Sequence, residues 1–333
     1  MTAVIRNPLG TVNVQLLGVG AYRPQRVVDN HELCRTLDSS DEWIRARTGI
    51  VTRRWADPQE TLIEMACRAG SEALSRADLD PMEVDCVLVA TFTLLRQIPA
   101  AAPEVAYRIG ARSAAAFDIS AGCAGFVYGL AVAADMVRSR SGRVLVIGAE
   151  RMTDLLDMED RSTTVIFGDG AGAIVLGPGD SPGVGPVVWG GDGSKAGVIS
   201  QTAPWSDVRS HPGIRWPALR QEGQSVFRWA AYELVDVGSR AMKEGGVEAD
   251  QIDVFVPHQA NLRIIDRLAK SLRLPATART ARDIVHMGNT SAASIPLAID
   301  SMLASDEARS GDLALLLGFG AGLSYGAVVV AIP

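Results

Sequence analysis

The chain repeats itself, and that repeat limits its architecture more than any other feature. Residues 73–91, ALSRADLDPMEVDCVLVAT, align without a gap on residues 241–259, AMKEGGVEADQIDVFVPHQ, at an offset of 168 that carries Asp85 onto Asp253. Each segment reads as the end of an amphipathic helix, a short acidic loop and a buried strand opening Val-Asp or Ile-Asp. The same offset carries Cys123, in DISAGCAGF, onto Ser291, in GNTSAAS, both in small-residue turns that open an apolar helix. At a slightly different offset, IFGDGAGAIVLG (166–177) resembles GFGAGLSYGAVVV (318–330), two glycine turns that each feed a last strand. This pattern predicts two similar halves, 1–180 and 181–333, joined through the Gly- and Pro-rich stretch 178–195. Helices alternate with short buried strands in each, so mixed or parallel sheets covered by helices are expected. Ligands bind such sheets beyond the carboxyl ends of strands, so strand ends from both halves are expected to converge on one cleft.

At 333 residues, with 47% hydrophobic and 21% charged residues, the chain can bury a core in each half. Its net charge of −6 argues against a general nucleic-acid or anionic-membrane surface. The cysteines Cys34, Cys67, Cys86 and Cys123 are scattered and show no Cys-x-x-Cys or Cys/His spacing for zinc or another metal. The N-terminus lacks a charged-then-apolar signal pattern, and with these cysteines the chain reads as a reduced, cytoplasmic protein. One segment, LALLLGFGAGLSYGAVVVAI (313–332), is long and apolar enough to imitate a membrane span. Its glycines divide it, and it is read instead as strand, glycine loop, strand, with no membrane association.

Three polar residues carry the chemistry. Cys123 follows the strand-like AAFDIS at the start of a helix, where the dipole and unpaired N–H groups stabilise a thiolate. His258 ends the strand-like VFVP, and Asn289 lies in the GNTS turn that mirrors the cysteine turn. Singly, each has an ordinary reading: an inert buried thiol, a hydrogen-bonded core histidine, an asparagine N-cap. All three at symmetry-related mouths of two halves point to a shared active site.

With the motifs SSDEWIRARTGI (39–50), DISAGCAGF (118–126), RSTTVIFGDGAGA (161–173), VPHQANLRII (256–265), GNTSAASIP (288–296) and GFGAG (318–322), the chain resembles β-ketoacyl-[acyl-carrier-protein] synthase III of the actinobacterial type. The resemblance covers essentially the whole sequence. It implies a thiolase-like, five-layered αβαβα fold of the α/β class, a homodimer, and Cys123, His258 and Asn289 as catalytic residues. The implied reaction joins an acyl-CoA primer to malonyl-ACP. The residue types suit it: a thiolate is both a good nucleophile and a good leaving group for acyl transfer. Backbone N–H groups of Cys123 and Ala321 form the expected oxyanion hole. His258 and Asn289 then stabilise the enolate left when the malonyl thioester loses CO₂. Acyl-CoA is a substrate here, and no cofactor is required. Asn289 separates the chain from elongating synthases, which use two histidines, and the absence of a cysteine after Cys123 separates it from thiolases. The glutamate acid of 3-hydroxy-3-methylglutaryl-CoA synthases has only Glu104 as a poorly placed counterpart.

The family pattern further places coenzyme A against Trp43, Arg47, Arg161, Gly223, Phe227 and Asn261, with Trp43 stacking on adenine and the arginines as multidentate donors. The carrier protein is expected on Gln259, Ala260, Asn261, Leu262, Arg263, Arg267 and Lys270. Arg263, Arg267 and Lys270 share one helix face at i, i+4 and i+7, suited to steering an acidic carrier. Arg263 is expected to serve the carrier alone, the nucleotide contacts being assigned elsewhere. Ile98 stands where acetyl-selective relatives carry an aromatic that reaches the partner's acyl pocket, which suggests room for a larger or branched starter. Two alternatives remain: a starter-loading condensing enzyme or acyltransferase of polyketide metabolism, and a non-catalytic partner subunit. Retention of all three polar residues argues against the second.

Overall fold

The computed structural model describes residues 12–333 except 141 and 212. The first eleven residues, which begin the stretch searched for a signal pattern, lie outside the described residues. Among the described residues, the strands are β1 (Asn13–Tyr22), β2 (Arg26–Asp29), β3 (Thr52–Trp55), β4 (Cys86–Ala90), β5 (Ala115–Ile119), β6 (Val144–Glu150), β7 (Gly170–Gly179), β8 (Val188–Gly190), β9 (Ile199–Gln201), β10 (Leu219–Gln221), β11 (Val254–Pro257), β12 (Arg279–Thr280), β13 (Leu313–Phe319) and β14 (Tyr325–Ala331). Ten of them form two five-stranded sheets, ordered β1-β7-β6-β4-β5 and β8-β14-β13-β11-β12. The orders correspond strand for strand, and so do the directions. In each sheet two antiparallel pairings are followed by two parallel ones. β7 closes the first sheet at Gly179 and β8 opens the second at Val188.

Alternation along the strands separates the layers. Leu88, Val146, Val256 and Leu316 face a central core with helices Gly125–Arg140 and Ser294–Ala304. Val87, Val89, Leu145 and Ile147 face helices Leu62–Arg76 and Ala101–Ile109 on one outer side. Phe255, Leu315 and Leu317 face helices Leu234–Glu244 and Leu262–Ser271 on the other. Both faces of each sheet are therefore buried, as a period of two in continuous apolar runs requires. The result is the five-layered αβαβα arrangement of two similar halves. Arg23 and Arg76 clamp Asp300 of helix Ser294–Ala304, each at 2.6 Å, and so tie the first sheet to the second half.

The repeat holds at the level of single turns. The helix ends at Arg76 and Glu244, the 3-10 turns at Pro81–Glu83 and Ala249–Gln251, and the starts of β4 and β11 are all 168 residues apart. Beyond them the offset becomes 169. Gly122–Ala124 corresponds to Ser291–Ala293, and helix Gly125–Arg140 to helix Ser294–Ala304. Gly122 and Ser291 share the left-handed conformation, at φ 54° and 50°. The structural counterpart of Cys123 is thus Ala292, and the ungapped match to Ser291 is corrected by one inserted residue. The apolar C-terminal segment is an antiparallel hairpin, β13 and β14 about a 3-10 turn at Ala321–Leu323. Among the described residues, no helix is long and apolar enough to cross a membrane.

Candidate active site

Cys123 sits in the 3-10 turn that β5 feeds and from which helix Gly125–Arg140 leaves. The end of β13 passes directly behind it. A Cβ on Gly320 would lie 2.7 Å from the Cys123 nitrogen, so only glycine fits there. A Cβ on Gly122 would in turn lie 3.2 Å from the Ala321 nitrogen, which places the Cys123 and Ala321 turns side by side. His258 follows β11 directly, and its own N–H donates to the Leu317 carbonyl at 2.7 Å, continuing the sheet. Asn289 is fixed from both sides: its N–H donates to Ile166, its carbonyl accepts from Gly168, and its Oδ1 accepts from the Ser291 N–H at 2.8 Å.

These three side chains, with Ala321, line one cavity of about 740 Å³. Phe92, Leu94, Met152, Leu155, Trp205, Trp216 and Leu219 provide its apolar wall. His258 is buried, with Nδ1 2.7 Å from the Ser294 hydroxyl, and burial drives its pKa down to about 3, so the ring is neutral. Burial also pushes the Cys123 thiol up to about 12, opposed by hydrogen bonding to Ser291 and reinforced by the Glu150 carboxylate. Desolvation therefore opposes the stabilisation that the turn's N–H groups give a thiolate. The other three cysteines also have raised pKa values, chiefly through burial.

A second cavity, of about 690 Å³, holds Trp43, Arg47, Arg161, Gly223, Phe227 and Asn261 together. Gln221, Val226, Ala260 and Asn289 line both cavities, so the two meet at Asn289. Ser40 caps the helix that presents Trp43, accepting the Trp43 N–H at 3.2 Å. Arg47 and Arg161 both lie over the Trp43 ring, at 5.5 and 5.3 Å from its centroid. Asn261 caps helix Leu262–Ser271 through its Oδ1 and donates from Nδ2 to the Arg47 carbonyl at 3.0 Å.

The carrier assignments separate. Gln259 is buried: its amide donates to Pro257 and accepts from Ile284, so it shapes the turn and cannot meet a partner protein. Leu262 packs on the Gly49 turn, and Ala260 belongs to the cavity walls. Arg263, Arg267 and Lys270 are exposed on one face, above buried Ile264, Ile265 and Leu268. Arg263 and Arg267 rest on the rings of Phe227 and Tyr232, at 5.6 and 5.2 Å. Arg263 also lines the second cavity, beside Trp43, Arg47 and Arg161. Ile98 is 84% exposed and lines neither cavity of its own chain.

Sequence reasoning missed Ser294, which holds His258, and Tyr232, which supports Arg267. It also missed Glu150, buried behind the cysteine turn. A glutamate ending an apolar strand, VLVIGAE, was the available signal for the last.

Comparison with known proteins agrees with this geometry. Residues 117–203 match the model of 3-oxoacyl-[acyl-carrier-protein (ACP)] synthase III, and residues 242–332 match that of its C-terminal region. The chain is 52% identical over 330 residues to the β-ketoacyl-[acyl-carrier-protein] synthase III of Streptomyces glaucescens, covering 99% of both. It is 55% identical over 325 residues to the mycobacterial enzyme of that name from Mycobacterium avium, covering 97% of both. Among solved structures, the priming β-ketosynthase from the R1128 polyketide biosynthetic pathway superposes with a TM-score of 0.97 at 44% identity, covering 99% of both chains. The 3-oxoacyl-[acyl-carrier-protein] synthase III of Aquifex aeolicus gives 0.88 at 37% identity, covering 96% of this chain and 100% of that one. The chain belongs to the β-ketoacyl-[acyl-carrier-protein] synthase III family.

Proposed function

We propose that this chain condenses an acyl-CoA primer with malonyl-ACP, through an acyl group carried on Cys123, to give a 3-oxoacyl-ACP. The observation that carries this reading is the meeting of the two cavities at Asn289. A thioester bound along Trp43, Arg47 and Arg161 has a direct course to Cys123. The Cys123 sulfur attacks the thioester carbonyl, the Cys123 and Ala321 N–H groups hold the oxyanion, and the CoA thiolate leaves. Malonyl-ACP then enters the vacated tunnel. Ser294 accepts the Gln259 N–H at 3.2 Å, and in this reading it donates its own hydrogen to His258 Nδ1, 2.7 Å away. That arrangement leaves Nε2 as the N–H of a neutral ring. With the Asn289 amide it supplies two donors for the enolate formed as CO₂ departs, and the enolate carbon attacks the acyl-cysteine.

Exposed Arg263, Arg267 and Lys270 are assigned to the acidic carrier. The active unit is taken to be a cytoplasmic homodimer of chains divided at 180/181. Edge strand β5 with exposed Phe117 supports the dimer, and Ile98 lies beside that edge, since the Ala101 and Ala102 N–H groups donate to Asp118. The likeness to a priming ketosynthase favours one second reading, the loading of a starter unit for polyketide synthesis. The test is intact-protein mass spectrometry after incubation with a panel of acyl-CoAs, followed by malonyl-ACP from either pathway. An adduct on Cys123 discharged by malonyl-ACP is expected. Absence of any adduct would refute the proposal, and the carrier that discharges it separates the two readings.

A further inference from the structure

The condensation chemistry uses neither Glu150, at the end of β6, nor Ser291, and both are fully buried. Glu150 Oε2 accepts from the hydroxyls of Thr91 (3.0 Å) and Thr93 (2.6 Å) and from the Phe92 N–H (3.3 Å), all in the first half of the molecule. Both hydroxyl oxygens are themselves acceptors, Thr91 from the Thr93 N–H and Thr93 from the Arg151 N–H. Their own hydrogens are therefore directed at Oε2, and the carboxylate is held from turning. Oε1 accepts from the Ser291 hydroxyl at 3.1 Å, which reaches it from the second half. The N–H of that same residue donates to Asn289 Oδ1 at 2.8 Å. Ser291 thus joins a fixed carboxylate to the amide that lines both cavities.

We propose that Ser291, anchored by Glu150, is a positioning residue that sets the Asn289 amide so that Nδ2 faces the cavity. This inference rests on Asn289 being a donor to the enolate. The Asn289 backbone is fixed without Ser291, because its N–H and carbonyl are paired with Ile166 and Gly168. What those bonds leave free is rotation of the side-chain amide, whose two ends are alike in shape and opposite in hydrogen bonding. The Ser291 N–H selects the acceptor end, and Nδ2 is then the end left for a substrate oxygen. A flipped amide would present Oδ1, setting a lone pair against the developing negative charge that the site must hold.

The choice of residue supports this assignment. Ser291 has φ 50°, in the left-handed region that a residue with a Cβ adopts only at a cost, and the equivalent turn of the first half uses Gly122 at φ 54°. Glycine would satisfy the backbone in both turns. The second turn keeps a side chain, and that side chain gives its hydrogen to Glu150. The difference between the halves lies two residues earlier. There the first half has Ser120, with no amide to orient, and the second has Asn289. The strained residue therefore stands in the turn where an amide has two orientations and the chemistry needs one.

The test compares two half-reactions, acylation by acetyl-CoA read by intact mass and CO₂ release from malonyl-ACP. Ser291→Gly removes the anchored side chain and leaves a residue that takes a left-handed backbone freely, so the variant should fold. Its CO₂ release should fall about 10–10²-fold, the scale of a misplaced reacting group, while acylation stays within a few fold of wild type. In the Asn289→Ala background the same change should cost nothing further, because Ser291 acts through Asn289. Glu150→Gln keeps the anchor: its oxygen can accept from the Thr91–Thr93 segment and its amide can donate to the Ser291 oxygen, so CO₂ release should stay within a few fold. Unchanged CO₂ release in Ser291→Gly, or losses that multiply with Asn289→Ala, would overturn the assignment. Equal loss of both half-reactions in Ser291→Gly would also overturn it, by reducing Ser291 to packing. A loss in Glu150→Gln as large as in Ser291→Gly would overturn it too, by giving Glu150 a role that needs its charge. CO₂ release unaffected in Asn289→Ala itself would instead defeat the reading on which the inference rests.

Discussion

The two halves of the molecule make the same turn and load it differently. In the first, a left-handed Gly122 is followed by Cys123, which faces the cavity. In the second, a left-handed Ser291 is followed by Ala292, 1% exposed and outside the cavity. The second half places its working groups earlier, with the Asn289 amide in the cavity and the Ser291 hydroxyl on Glu150. The backbone is duplicated while the side chains are divided: the first half brings the Cys123 sulfur to the cavity, and the second brings His258 and Asn289. The left-handed position also differs in what surrounds it. Ser291 has a hydrogen-bond partner for its side chain, whereas a side chain at Gly122 would meet Ala321.

The largest effect is expected where this contrast is sharpest. Cys123→Ser should leave no acyl-enzyme on incubation with acyl-CoA, since a serine oxygen is a weaker nucleophile towards a thioester and a poorer leaving group than a cysteine sulfur. Ala292→Cys, which puts a thiol at the mirrored position, should acquire no acyl label in the Cys123→Ser background. Peptide mapping checks both, and label on Cys34, Cys67, Cys86 or the thiol introduced in place of Ala292 would break the contrast between the turns. A smaller effect is expected on stability. Gly122→Ala puts a Cβ 3.2 Å from the Ala321 nitrogen and Cβ in a left-handed residue, and it should cost about 1–2 kcal/mol in urea unfolding. An unchanged midpoint would mean that the Cys123 turn has the same room as the Ser291 turn.

The smallest effects belong to the exposed face of the second half. Arg263→Glu should raise KM a few fold for both acyl-CoA and malonyl-ACP, because Arg263 lines the nucleotide cavity as well as facing solvent. Arg267→Glu, outside both cavities, should raise KM for malonyl-ACP alone. The carrier effect should shrink with salt, since exposed charges are screened over about 8 Å at physiological ionic strength. Steady-state kinetics at two salt concentrations would show it. No change with malonyl-ACP in either variant would remove the carrier from this face.

Much of this was legible in the sequence because it is written locally. The helix-loop-strand repeat at 73–91 and 241–259, the hairpin in the apolar C-terminal segment, and the placement of His258 at a strand end follow from short-range periodicity and glycine position. The single inserted residue before Ser291 was hidden, since the equivalence of Gly122 and Ser291 lies in a shared φ and in no shared side chain. Glu150 and Ser291 are 141 residues apart and meet only once both sheets have packed on the central helices. Gln259 looked as available as Arg263 because burial at the mouth of a cavity is a property of the assembled halves.

The most direct test of the division between halves is to measure both half-reactions separately in Asn289→Ala and Cys123→Ala. Asn289→Ala should acylate within a few fold of wild type while malonyl-ACP decarboxylation falls by about 10²–10³-fold, the usual effect of one lost oxyanion donor. Cys123→Ala should show no acylation and still release CO₂ from malonyl-ACP. Equal loss of both half-reactions in Asn289→Ala would contradict the account, and would reduce Asn289 to the residue that accepts the Ser291 N–H and holds its turn.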